Sequence, residues 1–209
     1  LVFIGIIVAS NCWAAVGPGK GYNPEAIEKV AAGKVPTANA SWWGFDADDA
    51  TTALQAAIDS KAKTVIVPYM GEPWTVRPIF LRSNLELVFE PGVILLAKKG
   101  EFRERWDCLL TAIGLEDITI RGHNTVLRMR KRDYRNPPYP ENEEWKHGVK
   151  LSSCKRVLIE GLRIESSGGD GIYLGMAGQG RGGNEDIVIR DCVSHDNHRQ
   201  GISIIDAKN

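Results

Sequence analysis

Residues 157–175, VLIEGLRIESSGGDGIYLG, and residues 187–205, IVIRDCVSHDNHRQGISII, are two copies of one unit. The second begins thirty residues after the first, and no gap is needed. Val157, Ile159, Leu162, Ile172 and Leu174 fall on Ile187, Ile189, Cys192, Ile202 and Ile204, and Gly171 falls on Gly201. Within each copy the apolar residues alternate with period two, which marks strands and not helices. A fixed period of roughly 20–50 residues marks a solenoid, whose units bury their apolar faces only by stacking. Cys192, opposite Leu162, reads as a small buried hydrophobe.

A weaker third copy lies upstream. Ile118–Gly122 matches Val157–Gly161, and His147–Leu151 matches Asp170–Leu174. The spacing between these blocks is longer in the third copy, which places an insertion within Arg128–Trp145. That segment is charged and carries Pro137, Pro138 and Pro140, as a protruding loop should. Further upstream, Phe45–Ser60 predicts a helix, with Asp48 or Asp49 as its cap and an apolar face of Ala50, Ala53, Leu54, Ala57 and Ile58. Strands are expected at Thr64–Pro68, Trp74–Arg77, Leu85–Phe89 and Val93–Leu96, the last two joined by a Pro91-Gly92 turn. A helix ahead of such a ladder is expected to cover the open N-terminal end of the solenoid.

Composition sets the outer bounds. A length of 209 residues fits one or two domains. The formal net charge of zero favours neither nucleic acid nor an anionic membrane as a partner. Four cysteines without a C-x-x-C pair exclude a zinc finger or a disulfide-dense scaffold. Leu1–Ala9 is apolar but too short to span a bilayer, and with Ala14 and Ala15 it reads as the end of a secretory signal. Secretion, to the extracellular space or a periplasm, is therefore expected. Cys12 hints at a lipoprotein site, but Asn11 is a poor residue before such a cysteine. The expected division is a signal remnant over 1–15, a linker over 16–41 with a short helix around Pro24–Ala32, and a β-helix domain over 42–209. With no initiator methionine and no polar cap after the last repeat, a fragment is expected.

Stacking the copies puts turn residues in columns. Lys150, Tyr173 and Ser203 point outward from the same strand position. Gly148, Gly171 and Gly201 precede it, and His147, Asp170 and Gln200 precede those. A sugar ring lying on the glycines would have Tyr173 to stack on and Lys150 to pair with a carboxylate; alternatively, the glycines serve a special backbone angle. A second group, Glu165, His195, Asp196, His198 and Arg199, lies in the turn leading to that strand. The glycine-rich run Met176–Asp186 lacks the G-K-[ST] of a phosphate loop and reads as a connection bordering the cleft, with Arg181 placed to touch an acidic substrate. The insertion mixes Arg128, Arg130, Lys131, Arg132 and Arg135 with Tyr134, Tyr139 and Trp145. That pattern suits nucleic acid, but Glu141, Glu143, Glu144 and the secretory signal favour a loop facing carbohydrate.

The run Asp46–Asp59, DADDATTALQAAID, followed by TVIVP at Thr64–Pro68, resembles the start of pectin-lyase-like superfamily proteins. The resemblance covers the chain from about Trp43 onward. It implies an all-β, right-handed parallel β-helix with an N-terminal capping α-helix. It does not imply one activity, because the superfamily includes polygalacturonases, pectate lyases, epimerases, tailspikes and adhesins. Polygalacturonase-like hydrolases carry an N-T-D, a G-D-D and a G-H-G rung in succession on the cleft strand. Here His147 stands at the first acid, Gly169-Asp170 replaces the acid pair, and Arg199-Gln200-Gly201 replaces the third motif. Hydrolysis usually needs two carboxyls, so a partner for Asp170 is sought in Glu165, Asp196, the nearby Asp206 or a rung beyond Asn209.

The expectation is a secreted, monomeric, polysaccharide-active protein without a membrane span, with a glycoside hydrolase as the leading reading. Lyase or epimerase chemistry is the alternative, with Arg199, His198 or Lys150 as base and with Ca²⁺ held by Asp170 and Asp196; a non-catalytic binding solenoid is the third. The candidate catalytic residues are Asp170, His147, His198, Arg199 and Asp196; those for substrate binding are Lys150, Tyr173, Gln200, Ser203 and Arg181. No resident metal or cofactor is expected, Ca²⁺ excepted in the lyase case.

Overall fold

The period-two alternation resolves into parallel strands stacked rung on rung. The computed structural model describes residues 19–137, 139, 144–178 and 182–208. The stretch read as a signal remnant, Cys12 and Arg181 lie outside these described residues. Val157 sits between Ile118 and Ile187, and Ile159 between Ile120 and Ile189. On another side of the coil, Ile172 sits between Val149 and Ile202, and Leu174 between Leu151 and Ile204. The thirty-residue offset of the sequence is thus the strand register between the last two rungs, while the rung before them stacks at a different spacing. Val65, Leu87, Ile120 and Ile159 form one continuous column with no exposed surface. Each such side chain contributes roughly 1.5–3 kcal/mol relative to exposure. Outward positions carry inter-rung ion pairs, Arg121 with Glu86, Arg156 with Asp117 and Glu116, and Arg190 with Glu160. These are solvent-exposed and contribute little individually.

Two sheets result. The larger has ten strands and includes the long Glu116–Arg128 and Lys155–Glu165. Each long strand bends midway, where Gly161 adopts φ +72° and the register slips. A Cβ on Gly161 would lie 2.1 Å from the Gly122 carbonyl oxygen, so the two bends stack only with glycine there. The smaller sheet runs Ile202–Ile204, Ile172–Gly175, Val149–Ser152, Leu110–Ile113, Ile79–Phe80. This sheet carries the cleft strand foreseen from the repeats.

The helix expected over 45–60 spans Thr51–Ile58 and buries Ala53, Leu54, Ala56, Ala57 and Ile58. The cap position is Ala50, and it is Asp49 whose carboxylate accepts the Thr51 N–H at 3.1 Å. The stretch expected as a linker contains the helix Pro24–Ala31, capped by Asn23. It also contains a strand, Thr37–Asn39, that pairs in parallel with Thr64–Val67 and buries Ala38. Those residues therefore extend the larger sheet by one strand.

One buried polar residue ties three rungs together. Asn184 has no exposed surface; its Oδ1 accepts the Cys154 N–H at 2.9 Å, and its Nδ2 donates to the carbonyls of Gly175 at 3.0 Å and Asp206 at 3.2 Å. Truncating it leaves buried donors and acceptors unpaired. Asn184→Ala is expected to lower unfolding stability by about 2–4 kcal/mol, read as a shift of the urea midpoint.

Candidate functional site

The strand register sets what faces outward from the smaller sheet. Thr111, Lys150, Tyr173 and Ser203 occupy one column. Just before it, His147, Asp170 and Gln200 form a second column, joined through the backbone: the Gly148 N–H donates to the Asp170 carbonyl at 3.1 Å and the Gly171 N–H to the Gln200 carbonyl at 3.0 Å. The side chains continue the ladder. His147 Nδ1 accepts the Asp170 N–H at 2.9 Å, and Asp170 Oδ1 accepts the Gln200 N–H at 3.1 Å.

This geometry fixes the state of His147. A ring nitrogen that accepts an amide N–H carries no proton, so the proton resides on Nε2 and the ring is neutral. Burial pushes the His147 pKa down to about 3, and the nearby Lys150 and Arg199 cations push the same way. Its 3.5 Å approach to Asp170 Oδ2 is therefore not an ion pair. Both residues are fully buried, and His147 Nε2 and Asp170 Oδ2 have no hydrogen-bond partner among the described residues.

The glycine column serves neither purpose foreseen for it. Gly148, Gly171 and Gly201 do not adopt positive φ. A Cβ on Gly148 would meet Ile164 Cγ2 at 2.5 Å, and one on Gly171 would meet Ser194 Oγ at 1.9 Å. Gly148 and Gly171 face neighbouring segments that pass close to them and form no floor for a sugar; at Gly201, which is partly exposed, a Cβ would make only ordinary contact with Ser194.

What covers the columns comes from outside the repeats. Trp106 and Trp145, from the connections before Leu110–Ile113 and Val149–Ser152, meet with centroids 4.6 Å apart. Trp106 is 39% exposed. The Lys150 ammonium lies 4.2 Å from the Trp106 ring centre, a cation–π contact. Among the described residues no carboxylate pairs with Lys150, and burial lowers its pKa. Tyr173 stacks on His147 at 4.5 Å and 11°, so one face of its ring is already occupied. Cys108 lies beneath; burial pushes its thiol up to about 12, which excludes a thiolate nucleophile.

Arg199 links the buried column to the surface. Its Nε lies 3.7 Å from Asp170 Oδ1 and 3.5 Å from Glu144 Oε2. His198 Nε2 lies 3.9 Å from Glu144 Oε1; burial lowers its pKa, and Arg135 is the strongest of the cations that add to this. The other proposed carboxyl partners are engaged elsewhere. Glu165 binds Arg128, Arg163 and His195. Asp196 binds Lys131 and Ser166 beside a separate cavity. Asp206 lies against Gly183 and its backbone carbonyl binds Asn184. Asp170 and Asp196 thus have separate partners, and among the described residues no cluster of three or more His, Cys, Asp or Glu is placed to hold a metal ion. Gln200 and Ser203 meet on the surface at 3.4 Å.

The structure brings together His147, Asp170, Arg199, His198, Lys150 and Tyr173, and leaves Asp196 apart. Sequence reasoning missed Glu144, Trp106 and Trp145 as members of the site. Trp145 and Glu144 close the insertion just before His147, and that adjacency was the available signal.

Parallel strands stacked rung on rung in two sheets define a β-helix solenoid. Residues 104–209 match the family described as the right handed beta helix region, and the chain belongs to that family. It is 28% identical over 131 residues to YclG of Bacillus subtilis, an uncharacterised protein, a match covering 60% of this chain and 22% of YclG. An iota-carrageenase of family GH82 from A. fortis superposes with a TM-score of 0.64 at 15% identity, over 83% of this chain and 38% of that one. An iota-carrageenase complexed to iota-carrageenan fragments superposes at 0.58 and 16% identity, over 81% of this chain and 39% of that one. A protein of Parabacteroides merdae, provisionally assigned as a glycosyl hydrolase, superposes at 0.56 and 15% identity, over 82% of this chain and 95% of that one. At these identities the likeness is one of fold. The chain spans about a fifth of the length of YclG. Among the described residues no helix is long and apolar enough to cross a membrane.

The neutral His147 carries a pH signature. Its folded pKa of about 3 lies below the ordinary 6.5, so the unfolded chain takes up the proton first as pH falls. The stabilisation is complete above pH ~6.5 and is lost as pH falls toward 3, at up to ~1.4 kcal/mol per pH unit. His147→Gln keeps an acceptor for the Asp170 N–H. In urea titrations between about pH 6.5 and 4.5, this variant is expected to show a flatter fall in stability than the parent.

Proposed function

We propose that this chain is part of a secreted polysaccharide-active protein, and that it is a glycoside hydrolase whose carboxyl pair is Asp170 and Glu144. The observation that carries this reading is the convergence of both carboxylates on Arg199 Nε, at 3.7 Å and 3.5 Å. Those distances bound the separation of the two oxygens at about 7 Å, which is compatible with the roughly 5–9.5 Å that hydrolytic carboxyl pairs use. Glu144 is surface-exposed and suits the water-activating or nucleophilic role. Asp170 lies buried on the opposite side of Arg199 and is assigned the general-acid role. Arg199 must swing off Asp170 to admit substrate, and an approaching anionic sugar would draw its guanidinium outward. Trp106 offers an exposed ring for a sugar face, with Lys150 beside it. Helix Thr51–Ile58 is proposed to close the N-terminal end of the stack on which this site depends.

A second reading, β-elimination on a uronate, is favoured by one observation. Lys150 is a half-buried cation without a carboxylate partner among the described residues, and burial lowers its pKa toward that of a usable base. The two readings leave different products. On a panel of polysaccharides, hydrolysis yields reducing ends alone, whereas elimination yields reducing ends together with the absorbance of an unsaturated product. Under the first reading, Asp170→Asn and Glu144→Gln each lower kcat by roughly 10²–10⁴-fold while KM changes little. Under the second, Lys150→Ala abolishes the absorbing product and Glu144→Gln leaves it. Binding without either product would leave only the non-catalytic solenoid.

A further inference from the structure

The insertion forms a second concavity that the proposed chemistry does not use. Arg130, Lys131, Arg132 and Asp133, together with Ser166 and Asp196 of the adjoining turns, line a cavity of about 300 Å³. That volume lies at the lower end of small-ligand pockets and suits one sugar unit with a charged substituent. The cavity is built into the fold. The Met129 N–H donates to the Glu165 carbonyl at 3.0 Å, the Lys131 N–H to the Ser166 carbonyl at 2.8 Å, and Arg130 Nε to the Ala97 carbonyl at 2.7 Å. Tyr134 anchors the loop from behind, buried against Phe102 and Tyr139.

Its charges lean positive, with Arg130, Lys131 and Arg132 set against Asp133 and Asp196. The Lys131 ammonium is taken up by Asp196, which also accepts from Ser166. Arg130, Arg132 and the neighbouring Arg135 have no carboxylate partner among the described residues. Guanidinium groups held on a fixed backbone bind the planar or tetrahedral oxygens of carboxylates and sulfate esters with paired hydrogen bonds. From this cavity, Arg135 and His198 lead toward Arg199 and the candidate site.

We propose that the cavity between the insertion and the Ser166 and Asp196 turns binds an anionic substituent, carboxylate or sulfate ester, of a polysaccharide lying across the candidate site. This names a substrate class for the proposed function and rests on that reading. The test is native electrophoresis of the whole chain through gels containing polygalacturonate, iota-carrageenan or hydroxyethyl cellulose, with a short DNA duplex as a separate competitor. The parent is expected to be retarded by at least one anionic polymer and not by the neutral one. Retardation by polygalacturonate alone identifies a carboxylate, and by iota-carrageenan alone a sulfate ester. Arg130→Gln/Arg132→Gln is expected to weaken that affinity by about tenfold or more and to make its salt dependence shallower. Because Arg130 also holds Ala97, Arg132→Gln/Arg135→Gln is the companion variant, and it should weaken binding with unchanged urea stability. The proposal is overturned if neither anionic gel retards the parent, if both variants run as the parent does, or if the duplex displaces the polymer through the same arginines. Binding that persists in a chain releasing neither product keeps this site and removes only the hydrolase and lyase readings. Turnover without retardation does the reverse.

Discussion

Parallel stacking of rungs in register is the constraint from which the rest of this molecule follows; the offset is thirty residues between the last two rungs and differs upstream, where connections lengthen or shorten the rung. No rung buries its apolar face alone, so the inward aliphatic columns and the inter-rung hydrogen bonds form together or not at all. A slip of one residue would turn every inward side chain outward. With the register fixed, turn residues one period apart must meet whatever their identity. Six such pairs are bonded: Cys154 with Asn184, Glu160 with Arg190, Glu165 with His195, Ser166 with Asp196, Ser167 with Asn197, and Asp170 with Gln200. The candidate site is one stretch of this ladder, and its polar groups are held by the same forces that hold the core.

The repeat made the rungs, the outward column and the grouping of His147, Asp170 and Gln200 legible without coordinates, because periodicity maps directly onto register. It did not reveal which way a turn side chain bends. Asp170 and His147 were candidates for a groove, yet both turn back to accept an amide N–H of the next rung and are fully buried. In a turn, sequence does not separate a side chain that meets solvent from one that satisfies the neighbouring backbone. The glycine column failed for a related reason. An alignment of glycines shows that Cβ atoms are unwelcome, but not whether ligand, backbone angle or a crossing segment excludes them. Here, at Gly148 and Gly171, it is the crossing segment.

Non-repeating segments obey no such map, and they supply much of what encloses the site. Trp106 and Trp145 belong to connections of different origin and meet over the cleft strand. The insertion between Arg128 and Trp145 is not a loose appendage. Its first residues bond to the turn at Glu165–Ser166, and its last described stretch lies over Gly169, where a Cβ would meet the Glu144 carbonyl at 2.5 Å. Its two ends therefore straddle two successive turn positions. Glu144 reaches Arg199 because the loop returns there, and no periodic argument could have placed it.

The electrostatics of the enclosure explain why His147 must be neutral. Lys150 and Arg199 already bring two cations to the space above the column. A protonated His147 would add a third, in a buried position with no water to screen it, and would lose its lone pair to the Asp170 N–H. Keeping the ring neutral lets one residue bridge two rungs and present a donor, Nε2–H, on its other edge. The side chain of Asp170 then meets the unprotonated Nδ1 edge of His147, 3.5 Å from Oδ2, and the Arg199 guanidinium, 3.7 Å from Oδ1. Arg199 is partly exposed, so Asp170 is paired with a surface residue and not with an internal one. Arg199 stands between the two carboxylates at distances that differ by little, and so couples the buried column to the surface.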